Sequence, residues 1–406
     1  MGLLGLGACA SLKAPSFIKP MTPNSSIQVR DLGAVSLSQD WMGSIYRADR
    51  SALPDKTVDY PWRGRAKVGA PIQSYVAPQI LSDNRVLLAL LGEGLQMRDL
   101  RTGALIWKYL KPLGVGARAL VLEPYVYVAN MNSEVSKLRL DNGEEQWTHK
   151  LNVESTGGIA VAQGVLFVST ADNAVWALDE KTGNPIWTYR RPTPNTSVYW
   201  SLRGSSTPVL SIDGGRVFVG FADGTAVALR AQTGDVVWER SLPSRSTLFK
   251  DFDLGPLMGK GGAQIFLAQA DGDLVSLNTA DGSVLWRRPL NVVATPTYDT
   301  ARNLLFVASL KGEIHAVSAN DGSVLWTQSA ARSGLATSLV PFQKDKLLVT
   351  WTHGPLSIHS ADDGSKAWES VGTLRSLAPA STDDARILVL STRNELHRFA
   401  FETLKD

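Results

Sequence analysis

The chain has 406 residues, 41 basic against 38 acidic, five histidines and a single cysteine. A net charge of +3, well mixed along the chain, gives no case for nucleic acid as a partner. One cysteine leaves no internal disulfide and no multi-cysteine metal site, and there is no run of 18 apolar residues to make a membrane-spanning helix.

The chain opens MGLLGLGAC. Leu6-Gly7-Ala8-Cys9 resembles a bacterial lipobox, an apolar residue and two small ones before a cysteine that is lipidated and becomes the first mature residue. An export signal needs a basic start and an apolar run of about 7–15 residues. Only eight residues precede Cys9, so the expectation is a truncated signal over 1–9 with its true start upstream. Ala10 rather than Asp follows Cys9, which leans to the outer membrane under the usual enterobacterial sorting pattern. Residues 10–57, with Pro15, Pro20, Pro23 and Pro54 among Ser, Asn and charged residues, read as a flexible tether. Within it SIQVRDLGAVSL (26–37) is strand-like but has no repeat partner.

From residue 58 onward the chain is periodic. A Gly followed four residues later by Trp occurs at Gly103/Trp107, Gly143/Trp147, Gly183/Trp187, Gly234/Trp238, Gly282/Trp286, Gly322/Trp326 and Gly364/Trp368. The Trp-to-Trp steps are 40, 40, 51, 48, 40 and 42 residues, and DGSVLW is written twice, at 281–286 and 321–326. Each unit holds four short strands separated by turns in which Gly supplies positive φ. Such a meander cannot bury both faces alone. Stacking units into a closed ring solves this, and a period of about 40–50 residues with four strands is the β-propeller signature. The recurring Trp is expected to wedge between neighbouring blades. After Trp368 only three strands remain, so an N-terminal strand is expected to close the last blade. YPWRGRAKVG (60–69) is the candidate, because Trp62 lies 45 residues, one period, before Trp107. The reading is an all-β, eight-bladed propeller over 58–406 with blade tryptophans 62, 107, 147, 187, 238, 286, 326 and 368, or seven blades if the end strands do not pair.

A search for an active site finds little. His149, His315, His353, His359 and His397 form no HExxH pattern, and the pair His353/His359 in one blade is weak as a metal site. There is no GxSxG and no phosphate-binding loop; GKGG at 259–262 leads into no helix. Asp362-Asp363 and Asp383-Asp384 sit in turns, where Asp is chosen for local hydrogen bonds. The arginine pairs at 190–191 and 287–288 read as solvated strand ends. No catalytic residue, metal or cofactor is expected.

The repeat, clearest in VWALDEKTGNPIW (175–187), resembles that of quinoprotein alcohol dehydrogenases and their propeller relatives. Those enzymes share an adjacent Cys-Cys pair that this chain lacks. A narrower resemblance is to the BamB-like lipoproteins of the outer-membrane β-barrel assembly machinery. It rests on the lipobox, the length, WSLRG at 200–204 and DFD at 251–253. It implies a non-enzymatic, monomeric scaffold, lipid-anchored on the periplasmic face of the outer membrane. In that family the two segments contact the periplasmic POTRA domains of BamA, which carries Leu202, Arg203, Asp251 and Asp253 over as partner-binding residues, with Trp200 replacing the family's first Leu. Nascent outer-membrane proteins are a further implied partner. Both segments lie in the two longest repeats, where extra loop length on a rigid ring favours binding. The alternatives are a propeller or dehydrogenase that binds pyrroloquinoline quinone, and a propeller for another envelope component.

Overall fold

A computed structural model describes residues 27–36, 59–60, 64–65 and, with interruptions that include 193–205 and 244–253, 76–403. It is all-β: eight four-stranded antiparallel sheets, each a blade of one propeller, and a separate hairpin of Asp59–Tyr60 with Gly64–Arg65. Blade 1 runs Gln79–Ile80, Arg85–Leu90, Gly94–Asp99 and Leu105–Tyr109. Blades 2 to 7 repeat this order, ending in the outer strands Glu145–Lys150, Pro185–Arg190, Val236–Ser241, Val284–Pro289, Val324–Ser329 and Lys366–Glu369. First strands of neighbouring blades touch, as between blades 3 and 4, 4 and 5, 6 and 7, 7 and 8, and 8 and 1. The second and third strands are almost wholly buried, while the outer strands show their edges to solvent. Eight apolar clusters fill the eight interfaces between neighbouring blades.

The Gly-to-Trp repeat has a two-blade meaning. Trp286 of blade 5 donates its indole N–H to Ala319 O of blade 6 at 2.9 Å. Its ring lies against Gly322, where a Cβ would stand 2.6 Å from Cε3. Trp107, Trp147, Trp187, Trp238 and Trp326 repeat both contacts, on Gly143, Gly183, Gly234, Gly282 and Gly364. One residue before each Trp the pairing with the third strand slips, as between Ala316 and Val317 opposite Trp326. The same bulge recurs in blades 1 to 7. A bulge bends a strand and re-aims its side chains, here turning the indole out of its own sheet toward the next blade.

An N-terminal strand completes the last blade, as expected, but it is not the expected stretch. The fourth strand of blade 8 is Ile27–Ser36, paired antiparallel with Glu395–Thr403 from Ile27↔Thr403 to Ser36↔Glu395. The stretch 60–69 does not take that place, since Tyr60 and Gly64 pair with each other, and Trp62 lies outside the described residues. The physical reason is length: the nine-residue edge Glu395–Thr403 needs a long partner, and the 60–65 hairpin offers two residues a side. The closing strand therefore comes from the stretch read as tether. Blade 8 has no Gly-to-Trp turn, so Trp368 finds no glycine to dock on and packs edge-on against Phe399 instead, with centroids 6.1 Å apart. Ser381 Oγ donates to Pro78 O, and Arg386 Nη1 reaches Asn84 Oδ1 at 2.7 Å, joining the last blade to the first.

Candidate partner-binding site around blade 4

The connections that leave an outer strand and enter the next blade's first strand all emerge on one end of the ring, together with the turns between second and third strands. Six residues suffice from Ser329 to Ala336; eighteen lie between Arg190 and Val209, and twelve between Ser241 and Leu254. These two long connections flank blade 4 on either side. Trp200, Leu202 and Arg203 belong to the first and Asp251 and Asp253 to the second, and all five lie outside the described residues, as does Cys9.

What the structure does show is how the flanks are fixed. At the start of the first connection, Arg191 reaches across to blade 4. It bonds Asp223 Oδ2 at 3.0 Å and Glu239 Oε2 at 2.9 Å, with its guanidinium 6.0 Å from the Phe221 ring centre. Tyr189 donates its hydroxyl to Glu239 at 2.8 Å. Burial opposes the Arg191 charge, but the hydrogen bonds and the two carboxylates outweigh it and raise its pKa. The Tyr189 and Arg191 hydrogen bonds hold the Glu239 carboxyl below its ordinary range, while burial and then Glu239 push the Tyr189 phenol up. After the first connection, Ser206 is buried and donates to Gly220 O at 2.9 Å, and the Thr207 hydroxyl accepts from Gly158 N at 2.7 Å.

The second connection is tied in the same manner. Leu242 is buried, its N–H donating to Gly224 O at 2.9 Å, and Arg287 of blade 5 donates to Pro243 O at 2.6 Å. At its far end Gly255 lies against Thr207, where a Cβ would meet Thr207 O at 3.0 Å. The downstream ends of both connections therefore touch. The described residues that flank the two connections are held by hydrogen bonds and buried side chains, and those that follow them lie side by side.

The sequence reading missed these posts. Arg191 and Arg287 are not solvated strand ends; each bridges blades, as do Arg240 to Gly282 O at 2.8 Å and Arg288 to Gly322 O at 2.7 Å. The available signal was position: Arg191 opens the eighteen-residue connection to blade 4. The histidines serve local structure. His359 bonds Gly364 O and Ser357, His315 bonds Thr327, and His353 bonds its neighbour Thr352. Among the described residues no three His, Cys, Asp or Glu side chains group as a metal site.

A family model described as outer membrane protein assembly factor BamB matches residues 91–299 and 270–399, well over half of the chain. The chain belongs to the BamB family. It is 27% identical over 180 residues to outer membrane protein assembly factor BamB of Legionella pneumophila (strain Paris), covering 42% of this chain and 44% of that protein. Against the BamB of Yersinia pestis it is 26% identical over 142 residues, 34% of this chain and 35% of the other. The repeat also matches 1-butanol dehydrogenase (cytochrome c) of Thauera butanivorans, 33% identical over 116 residues, which is 27% of this chain and 16% of that enzyme. The chain thus spans less than half the length of the curated relatives it matches. The crystal structure of BamB from Moraxella catarrhalis superposes with a TM-score of 0.69 at 17% identity, over 92% of this chain and all of that one, a likeness of fold.

Proposed function

We propose that this BamB-family propeller is a non-enzymatic scaffold of outer-membrane β-barrel assembly, and that its two long connections beside blade 4 bind the POTRA domains of a BamA-like protein. The observation that carries this is how the flanks of those connections are fixed: Thr207 and Gly255, which follow them, lie against each other, and the residues that open them are held by Arg191 and by Arg287 on Pro243. Leu202 and Trp200 supply the apolar contact, Arg203 pairs with a partner carboxylate, and Asp251 and Asp253 take basic or amide donors. A rigid ring presenting two short segments loses little conformational entropy on binding. Lipidation at Cys9 places the ring on the periplasmic face of the outer membrane.

The test is titration of the protein with the POTRA region of the same organism's BamA-like protein. Arg203→Glu is expected to weaken binding by about 2 kcal/mol or more, as for a charged interface contact turned repulsive. Unchanged affinity removes Arg203 from the interface. The dehydrogenase matches give the competing reading its support, yet they cover no more than about a quarter of those enzymes. Adding pyrroloquinoline quinone and calcium to the purified protein separates the two: the scaffold reading expects no cofactor spectrum and no alcohol oxidation.

A further inference from the structure

The strand that closes blade 8 is attached unlike any other outer strand. In blades 1 to 7 the journey from an outer strand to the next first strand takes six to eighteen residues, six from Ser329 to Ala336 and eighteen from Arg190 to Val209. The same journey from Ser36 to Gln79 has forty-two. Six residues span at most about 20 Å and forty-two about 140 Å, so the connection far exceeds what closure within one chain requires. The second difference is the indole peg. The outer strands of blades 1 to 6 are fixed twice, by their ladder and by a Trp docked on the next blade's glycine. Residues 27–36 contain no Trp, so Ile27–Ser36 has the ladder without the peg. That ladder runs along almost the whole of Glu395–Thr403, with one register shift between Asp31 and Ala34. Without it the nine-residue strand would be an open edge, a template for another chain.

We propose that Ile27–Ser36 is an exchangeable strand, and that blade 8 accepts the same strand from a second copy of this chain to give a reciprocal strand-swapped dimer. The swapped and closed forms contain the same ladder, so concentration sets their balance. A connection of this kind gives its own strand an effective concentration on the order of millimolar. The closed monomer therefore prevails in dilute solution, and the swapped dimer forms where copies crowd together.

A mixed-disulfide experiment on the full chain tests this. Val29 faces Phe401 in the register. In a Cys9→Ser background, one population carries Val29→Cys and an isotopically labelled one carries Phe401→Cys. The two are mixed at about millimolar concentration, oxidised, and read by mass spectrometry. A disulfide between unlabelled and labelled chains requires the strand of one in blade 8 of the other. Its yield is expected to exceed that of the out-of-register pair Val29→Cys with Glu395→Cys by about tenfold or more, because disulfide geometry is demanding. The double variant Val29→Cys/Phe401→Cys at low concentration is expected to close within one chain. Closure of the double variant with no mixed disulfide at high concentration overturns the exchange. Absence of closure in the double variant overturns the register on which the exchange rests.

Discussion

Gly322 answers to two constraints at once: its φ is +72°, and the Trp286 indole occupies the space its Cβ would need. Gly164 shares the first constraint, with φ +78°, but has nothing within 4 Å of its notional Cβ. Gly322→Ala is therefore expected to cost about 2–4 kcal/mol, backbone strain plus overpacking, and Gly164→Ala about 1 kcal/mol from strain alone. Urea unfolding of the two variants measures this, and equal losses would mean that docking on the glycine adds nothing. The turn role of these glycines was legible in one repeat; the docking role was not, because the Gly and the Trp that meet belong to different repeats. His359 makes a separate prediction. Blades 2 to 5 have Leu at the corresponding place, and burial holds the His359 pKa below its ordinary value. Trp351 donates to Ser357 Oγ, and His359 is bonded on both sides, by Ser357 and by Gly364 O, an arrangement that suits the neutral ring. The native state thus favours neutral His359, while the unfolded chain takes up a proton below pH about 6.5. Stability is present above that pH and is lost as the pH falls from there toward the depressed folded value. The carboxylates with lowered pKa, such as Asp321 at about 2, act in a more acid range. His359→Leu is expected to flatten the slope of stability against pH between about 7 and 5, and an unchanged slope would exclude His359 as its source.

Among the elements, the outer strands show what periodicity could and could not reveal. Their Trp, their turns and their number followed from the 40-residue repeat, but the bulge beside each Trp did not, since nothing in VLW marks Leu325 as the residue the ladder skips. The closing strand was misplaced for a similar reason. Trp62 mimicked the repeat at 45 residues, whereas Ile27–Ser36 lacks Trp and has only its length and alternation to recommend it. The Arg191 post was hidden because its carboxylates, Asp223 and Glu239, lie in the following repeat. Its arginine serves two acceptors from one planar fork, which Lys cannot reproduce. Arg191→Ala is expected to lose about 1–2 kcal/mol, as a part-buried pair left without its cation. Arg191→Lys should recover only part of that loss in the same urea titration; full recovery would mean that the fork geometry is not what holds the post.

At the scale of the whole molecule, a ring of eight blades is a sum of neighbour interfaces, one apolar cluster to each. That is why the strands from Gln79 to Thr403, closed by Ile27–Ser36, form one propeller, and why the fold was readable from a repeat whereas the proposed site rests on motif resemblance. The proposed binding residues fall in stretches that break the period, so periodicity marks only their place in the chain, in the connections of 18 and 12 residues on either side of blade 4. The nearness of the residues that follow these connections depends on strand order and on the meeting of Thr207 with Gly255, neither of which a linear pattern contains. The measurement that tests the central claim most directly is amide hydrogen exchange of the full chain with and without the POTRA region of its BamA-like protein. The account predicts slowed exchange in 193–207 and 244–255 and at Arg191, with the Gly-to-Trp turns at the opposite end of the ring unchanged. Protection confined to those turns, for example 140–144 and 279–283, would contradict it and move the partner to the other end.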